Sequence, residues 1–124
     1  MFGMMVDPVR FPVWMTEEDL DYYISAFEGG GFRGPLNRYR AQGLDWGRLP
    51  QLAQLQVHQP STFIAGSLDP VRTFVPGVDI YAAARSNCTD FRGSTIIDGK
   101  GHWIQQKAPD EVTRLLLGFL DALG

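Results

Sequence analysis

The amino-acid sequence predicts an α/β fold whose second half carries two parallel strands. Two short β-rich segments predict it first: Ser61 to Ala65 (STFIA) and Ser94 to Ile97 (STII), each running into a turn cluster. Apolar residues recur at helical spacing between them and after them. The resulting order from residue 61 onward, strand, helix, strand, helix, is that of a parallel βαβα unit. Two strands are few for a parallel sheet, which is normally covered on both faces. The unit therefore reads as the end of a larger sheet, with an unpaired strand edge.

Each element has its own signature. Residues 1–15 show no period and contain two prolines, so they read as extended or loop. Thr16 reads as an N-cap, and Glu17, Glu18 and Asp19 suit the positive end of a helix. Leu20, Tyr23, Ile24 and Phe27 follow on one helical face, and Gly29-Gly30-Gly31 ends it. Gly34-Pro35 opens a second, shorter helix through Leu36, Tyr39 and Arg40, with Gly43 as its stop. Residues 44–60 read as a connector with one helical turn. STFIA is expected to be a buried strand, ending at Gly66-Ser67-Leu68-Asp69-Pro70. Residues 76–86 are expected to form a helix through Val78, Tyr81, Ala82 and Arg85. STII is followed by Asp98-Gly99-Lys100-Gly101. Pro109, Asp110 and Glu111 open the last helix, whose stripe runs Val112, Leu115, Leu116, Phe119, Leu120, Leu123.

Composition narrows the function classes. The 124 residues suit one domain, and 44% hydrophobic with 20% charged residues is a globular balance. A net charge of −3 with scattered basic residues gives no footprint for nucleic acid or anionic lipid. Cys88 is the sole cysteine, which excludes an intrachain disulfide and a cysteine-based metal site. No apolar run approaches the roughly 20 residues of a membrane helix, and the N-terminus lacks a basic leader. A cytoplasmic chain without a membrane partner is the expectation.

Chemistry concentrates after the two strands. Glycines on both sides of Lys100 let the backbone turn sharply and deliver His102 to the C-terminal end of the second strand, where sites gather in open α/β sheets. Histidine titrates near neutrality and can take and return a proton. Its alternative is a packing histidine in a turn. Asp69 holds the matching place after the first strand, where a carboxylate can accept the other imidazole N–H. Asp-Pro is also ordinary turn chemistry. The chain order, Asp69 and then His102, is that of the acid and histidine in α/β-hydrolases. His58 reads as a loop residue, Cys88 has no basic neighbour to activate it, and Trp14, Trp46 and Trp103 read as packing or pocket-wall residues.

Three segments carry a resemblance to a known family. Gly101-His102-Trp103-Ile104-Gln105-Gln106, followed by Pro109 and the leucine-rich helix, resembles the histidine region of epoxide hydrolases of the α/β-hydrolase fold. Gly66-Ser67-Leu68-Asp69-Pro70-Val71 resembles the loop bearing their acid. Gly31-Phe32-Arg33-Gly34-Pro35-Leu36-Asn37-Arg38-Tyr39-Arg40 resembles the cap segment with one of their two ring-opening tyrosines, and Trp14 with Thr16 to Leu20 matches the stretch before it.

The resemblance implies a C-terminal fragment of that fold: a helical cap remnant over residues 1–56 and a βαβα part of the core over 57–124. It assigns catalysis to His102, Asp69 and Tyr39, the tyrosine holding the epoxide oxygen. The implied reaction turns an epoxide and water into a vicinal diol through an aspartyl ester, with no metal or organic cofactor. The implied partner is a small-molecule epoxide. Departures accompany the match. There is no Gly-x-Ser-x-Gly and no His-Gly pair, and Asp7 follows no strand. Arg38 stands where an aromatic residue is frequent, and Lys107 where an acidic one is. The family's nucleophile segment is thus absent from these residues, and the isolated chain is expected to be inactive. Two other readings stay open: another α/β-hydrolase chemistry, such as dehalogenation or ester hydrolysis, and a non-catalytic domain that self-associates, or joins a complementing chain, through its open sheet edge.

Overall fold

A computed structural model of the chain describes residues 9–124. The extended reading of residues 1–8, and with it Asp7, lies outside the described residues. The chain divides into two compact units, Met1–Ala53 and Gln54–Gly124.

The first unit is helical. Helix α1 spans Glu17–Gly30 behind a capping box: the Thr16 side chain accepts from the Asp19 N–H, and the Asp19 carboxylate accepts from the Thr16 N–H. Gly31 ends it with φ 65°, a left-handed value that glycine adopts without a Cβ penalty. Phe27 and Phe32 stack across this turn, with centroids 4.6 Å apart. Helix α2 spans Arg33–Arg48 and corrects the expected short helix, because it is the longer of the two and runs through Gly43. A glycine inside an exposed helix costs only about 1 kcal/mol against alanine, too little to end one. The stop is Leu49, pushed out of helical geometry by Pro50 (φ −124°, ψ 51°). The connector's expected turn is a 3₁₀ segment, Pro50–Gln54.

The second unit holds a two-stranded parallel sheet, β1 Ser61–Gly66 beside β2 Phe91–Ile97. Phe63 to Gly66 pair in register with Ser94 to Ile97. An irregularity near Ser61 admits one extra residue on β2, where Gly93 takes φ 131° and its carbonyl accepts from the Thr62 hydroxyl at 3.2 Å. Strand β2 therefore starts earlier than STII. Strand β1 is buried only at Ala65 and Gly66, because a pair of strands leaves each with an open edge.

The crossover departs most from expectation. In place of an α-helix over 76–86 stands a 3₁₀ segment, Ile80–Asn87, and another, Pro70–Thr73, precedes it. Each is capped by an aspartate: Asp69 accepts from the Val71 N–H, and Asp79 from the Tyr81 N–H. Pro76-Gly77, with Gly77 at φ 76°, breaks the path between them. After β2 come a short α3, Ile104–Lys107, and then α4, Pro109–Asp121. The core is small: Ile97, Ile104 and Val112, with Ile64, Ala108 and Leu115 packed against it. Further along the stripe Phe119 is half-buried, while Leu116, Leu120 and, just past α4, Leu123 are about half exposed.

Candidate active site

The site is built by two loops laced together at the C-terminal ends of β1 and β2. The Ser67 N–H donates to the Ile97 carbonyl at 3.0 Å, and the Leu68 N–H to the Lys100 carbonyl at 2.8 Å. The Ser67 hydroxyl donates to Asp98 at 3.0 Å and accepts from the Gly99 N–H at 2.9 Å. Glycine is required at position 66: a Cβ there would lie 2.1 Å from the Lys100 carbonyl oxygen and 2.5 Å from that of Gly101. Gly99 supplies the sharp turn with φ 66°. The parallel register and this close approach bring residues 33 positions apart into contact.

That contact joins His102 to Asp69. The imidazole Nδ1 lies 2.8 Å from Asp69 Oδ2. Asp69 is buried, its side chain only 4% exposed, whereas the His102 side chain is 49% exposed. A buried carboxylate wants donors, and Asp69 has three: the Val71 N–H on Oδ1 at 2.9 Å, and the Tyr81 hydroxyl and His102 on Oδ2. Burial alone would push its carboxyl up. The Tyr81, Val71 and His102 hydrogen bonds and the histidine's charge outweigh it and hold the carboxyl below its usual value. An ionised Asp69 accepts and cannot donate, so Nδ1 carries the proton of this hydrogen bond, and in the neutral ring the lone pair is on Nε2. A half-exposed imidazole with Nε2 as acceptor can take a proton from a donor that reaches it.

Of the three residues predicted for catalysis, the structure joins His102 to Asp69. Tyr39 lies in the other unit, on α2, with an exposed side chain. The structure adds Tyr81, whose helical spacing marked it only as one of a helix face. Its phenol is pushed up to about 12, by burial first and then by the hydrogen bond to Asp69 and the negative charges of Asp69 and Asp79. His58, read as a loop residue, is exposed and bonds Thr89 at 3.2 Å. A groove of about 460 Å³ in the first unit, walled by Trp46, Leu49, Pro50 and Leu52, holds none of these side chains. Among the described residues no helix is long and apolar enough to cross a membrane.

No family model matches the chain. Epoxide hydrolase A of Mycobacterium tuberculosis (strain ATCC 25618 / H37Rv) is 43% identical over 117 residues, 94% of this chain and 35% of that protein. Epoxide hydrolase 1 of Siraitia grosvenorii is 33% identical over 96% of this chain and 39% of its own length. Among solved structures, epoxide hydrolase A from Mycobacterium thermoresistibile matches with a TM-score of 0.83 at 37% identity, over 94% of this chain and 35% of that one. Potato epoxide hydrolase I matches with a TM-score of 0.80 at 30% identity, over 89% and 35%. The chain thus spans about a third of the length of the relatives it matches. In sequence and in fold, it is a homologue of the C-terminal part of the epoxide hydrolases, enzymes of the α/β-hydrolase fold.

Proposed function

We propose that the chain supplies the hydrolytic half of an epoxide hydrolase site. His102 is the general base: through Nε2 it takes a proton from water as that water attacks the carbonyl of an aspartyl ester, releasing the diol and regenerating the carboxylate. Asp69 holds the imidazole in the Nδ1–H tautomer and stabilises the imidazolium that forms. Tyr39 donates to the epoxide oxygen and stabilises the alkoxide that develops on ring opening. The aspartate that forms the ester comes from outside these 124 residues, so the chain alone gives no diol. The reaction needs no metal or organic cofactor, and its substrate is a small epoxide. Residues 1–56 act as a cap and 57–124 as part of the catalytic core, in a cytoplasmic protein. The open strand edges and the exposed leucines of α4 favour self-association or pairing with a complementing chain.

The observation that carries this reading is the 2.8 Å contact between a buried aspartate and a half-exposed histidine, each delivered by the C-terminal end of a parallel strand. The test joins the chain to the N-terminal two thirds of a relative and measures diol formation from an aryl epoxide. The joined protein is expected to turn over, His102→Ala to abolish turnover, and Tyr39→Phe to slow it about 100-fold or more, the scale on which oxyanion donors act. Full activity in the His102→Ala protein would refute the assignment. Turnover by the unjoined chain would show that a carboxylate within it is the nucleophile.

A further inference from the structure

We propose that Tyr81 is a positioning residue of this site, which, by donating to the oxygen of Asp69 that also accepts from His102, fixes the carboxylate and tunes the proton affinity of the imidazole. The inference rests on reading His102 as the general base.

Two constraints, one through Asp79 and one through Phe63, aim the Tyr81 hydroxyl at Asp69. Arg72, on the first 3₁₀ segment, bonds Asp79 Oδ2 through Nε at 2.8 Å and Nη2 at 2.6 Å. The other oxygen of Asp79 accepts the Tyr81 N–H at 3.1 Å, which fixes the start of the second 3₁₀ segment. The ring of Phe63 on β1 meets the Tyr81 ring edge-on, with centroids 5.0 Å apart. The phenol so held reaches back 12 residues and bonds Oδ2, the atom His102 uses, while Oδ1 is occupied by the Val71 N–H. Asp69 is left no free rotation about its carboxylate.

The chemical consequence follows from sharing one oxygen. Each donor draws electron density from the carboxylate, so the Tyr81 hydroxyl weakens the pull of Asp69 on the imidazolium. With the phenol in place, the Asp69 carboxylate keeps its orientation toward His102. Charged groups near the pair among the described residues include Arg72 and Asp79, paired with each other, Asp98, engaged by Ser67, Lys100 in the His102 loop, and Lys107, whose ammonium approaches Gly101 from α3. Tyr81→Phe changes none of them and keeps the ring against Phe63.

The chain has only two histidines, so NMR titration resolves both imidazoles, with His58 as an internal reference. In Tyr81→Phe the His102 midpoint is expected to rise by about half a pH unit, about a threefold gain in proton affinity, with His58 unmoved. Uniform 3-fluorotyrosine labelling leaves every side chain in place and makes the phenol a stronger donor, so there the midpoint should fall. It also serves if Tyr81→Phe does not fold. A His102 midpoint unmoved in a folded Tyr81→Phe chain, or in the labelled chain, would overturn the proposal and leave Tyr81 a packing residue. Asp69→Asn separates this from the underlying reading. It should lower the His102 midpoint, and if it does not, the Asp69–His102 couple itself fails.

Discussion

Asp69 is where folding and chemistry meet in one side chain. Its carboxyl lies below the usual value of about 3.9, because three donors outweigh burial. A group whose folded pKa is depressed contributes stability in full above its unfolded pKa and loses it as pH falls through the folded value. Asp79 and Asp19, depressed by Arg72 and by Thr16, act in the same direction. Urea midpoints of the wild-type chain should therefore be level from neutrality to about pH 5 and fall below about pH 4. Asp69→Asn should have a lower midpoint at pH 7 and a shallower fall in acid. A wild-type midpoint that rose on acidification would contradict this. His102 and Asp69 were legible in the sequence because each follows a strand, and strand ends are where parallel sheets place their sites. Tyr81 was not legible as a partner of Asp69. Its contact depends on two 3₁₀ segments folding back on each other, and the spacing of Val78, Tyr81, Ala82 and Arg85 signals only a helix face.

Among the elements, the meeting of β1 with the loop after β2 decides whether a site exists. Gly66→Ala would put a Cβ against two backbone carbonyls that cannot rotate away. The strand end and the His102 loop must then separate, at a cost of about 1–3 kcal/mol or more, the range of overpacking substitutions. Urea denaturation should show that loss, together with a His102 titration resembling that of Asp69→Asn. An unchanged midpoint would mean the loops approach less closely. In the first unit, Thr16→Ala removes the capping box of α1 and should cost about 1 kcal/mol by the same method. Helix α1, the strand pair and the start of α4 were readable because caps and apolar periods are local signals. The extent of α2 was not, since Gly43 looked like a stop and is only an exposed glycine. The crossover was not readable either: Pro76-Gly77 and the two aspartate caps favour short 3₁₀ turns over the helix that its apolar spacing implied.

The described residues bury little apolar surface for their number. Four hydrophobic residues among those described are buried, whereas Leu116, Leu117 and Leu120 lie exposed on α4. Sedimentation of the chain alone is expected to show concentration-dependent association, and a monodisperse monomer at every concentration would count against it. The same openness fits a chain that spans about a third of its relatives, in which further strands would cover these faces. The central claim, that His102 acts in ester hydrolysis and not in ester formation, is tested most directly by intact-mass spectrometry of the joined protein. After mixing with an aryl epoxide, the His102→Ala form is predicted to gain the mass of one epoxide and keep it, while the unsubstituted protein returns to its starting mass and releases diol. A His102→Ala protein that gains no mass, or that gains it and still releases diol at the unsubstituted rate, would contradict the account.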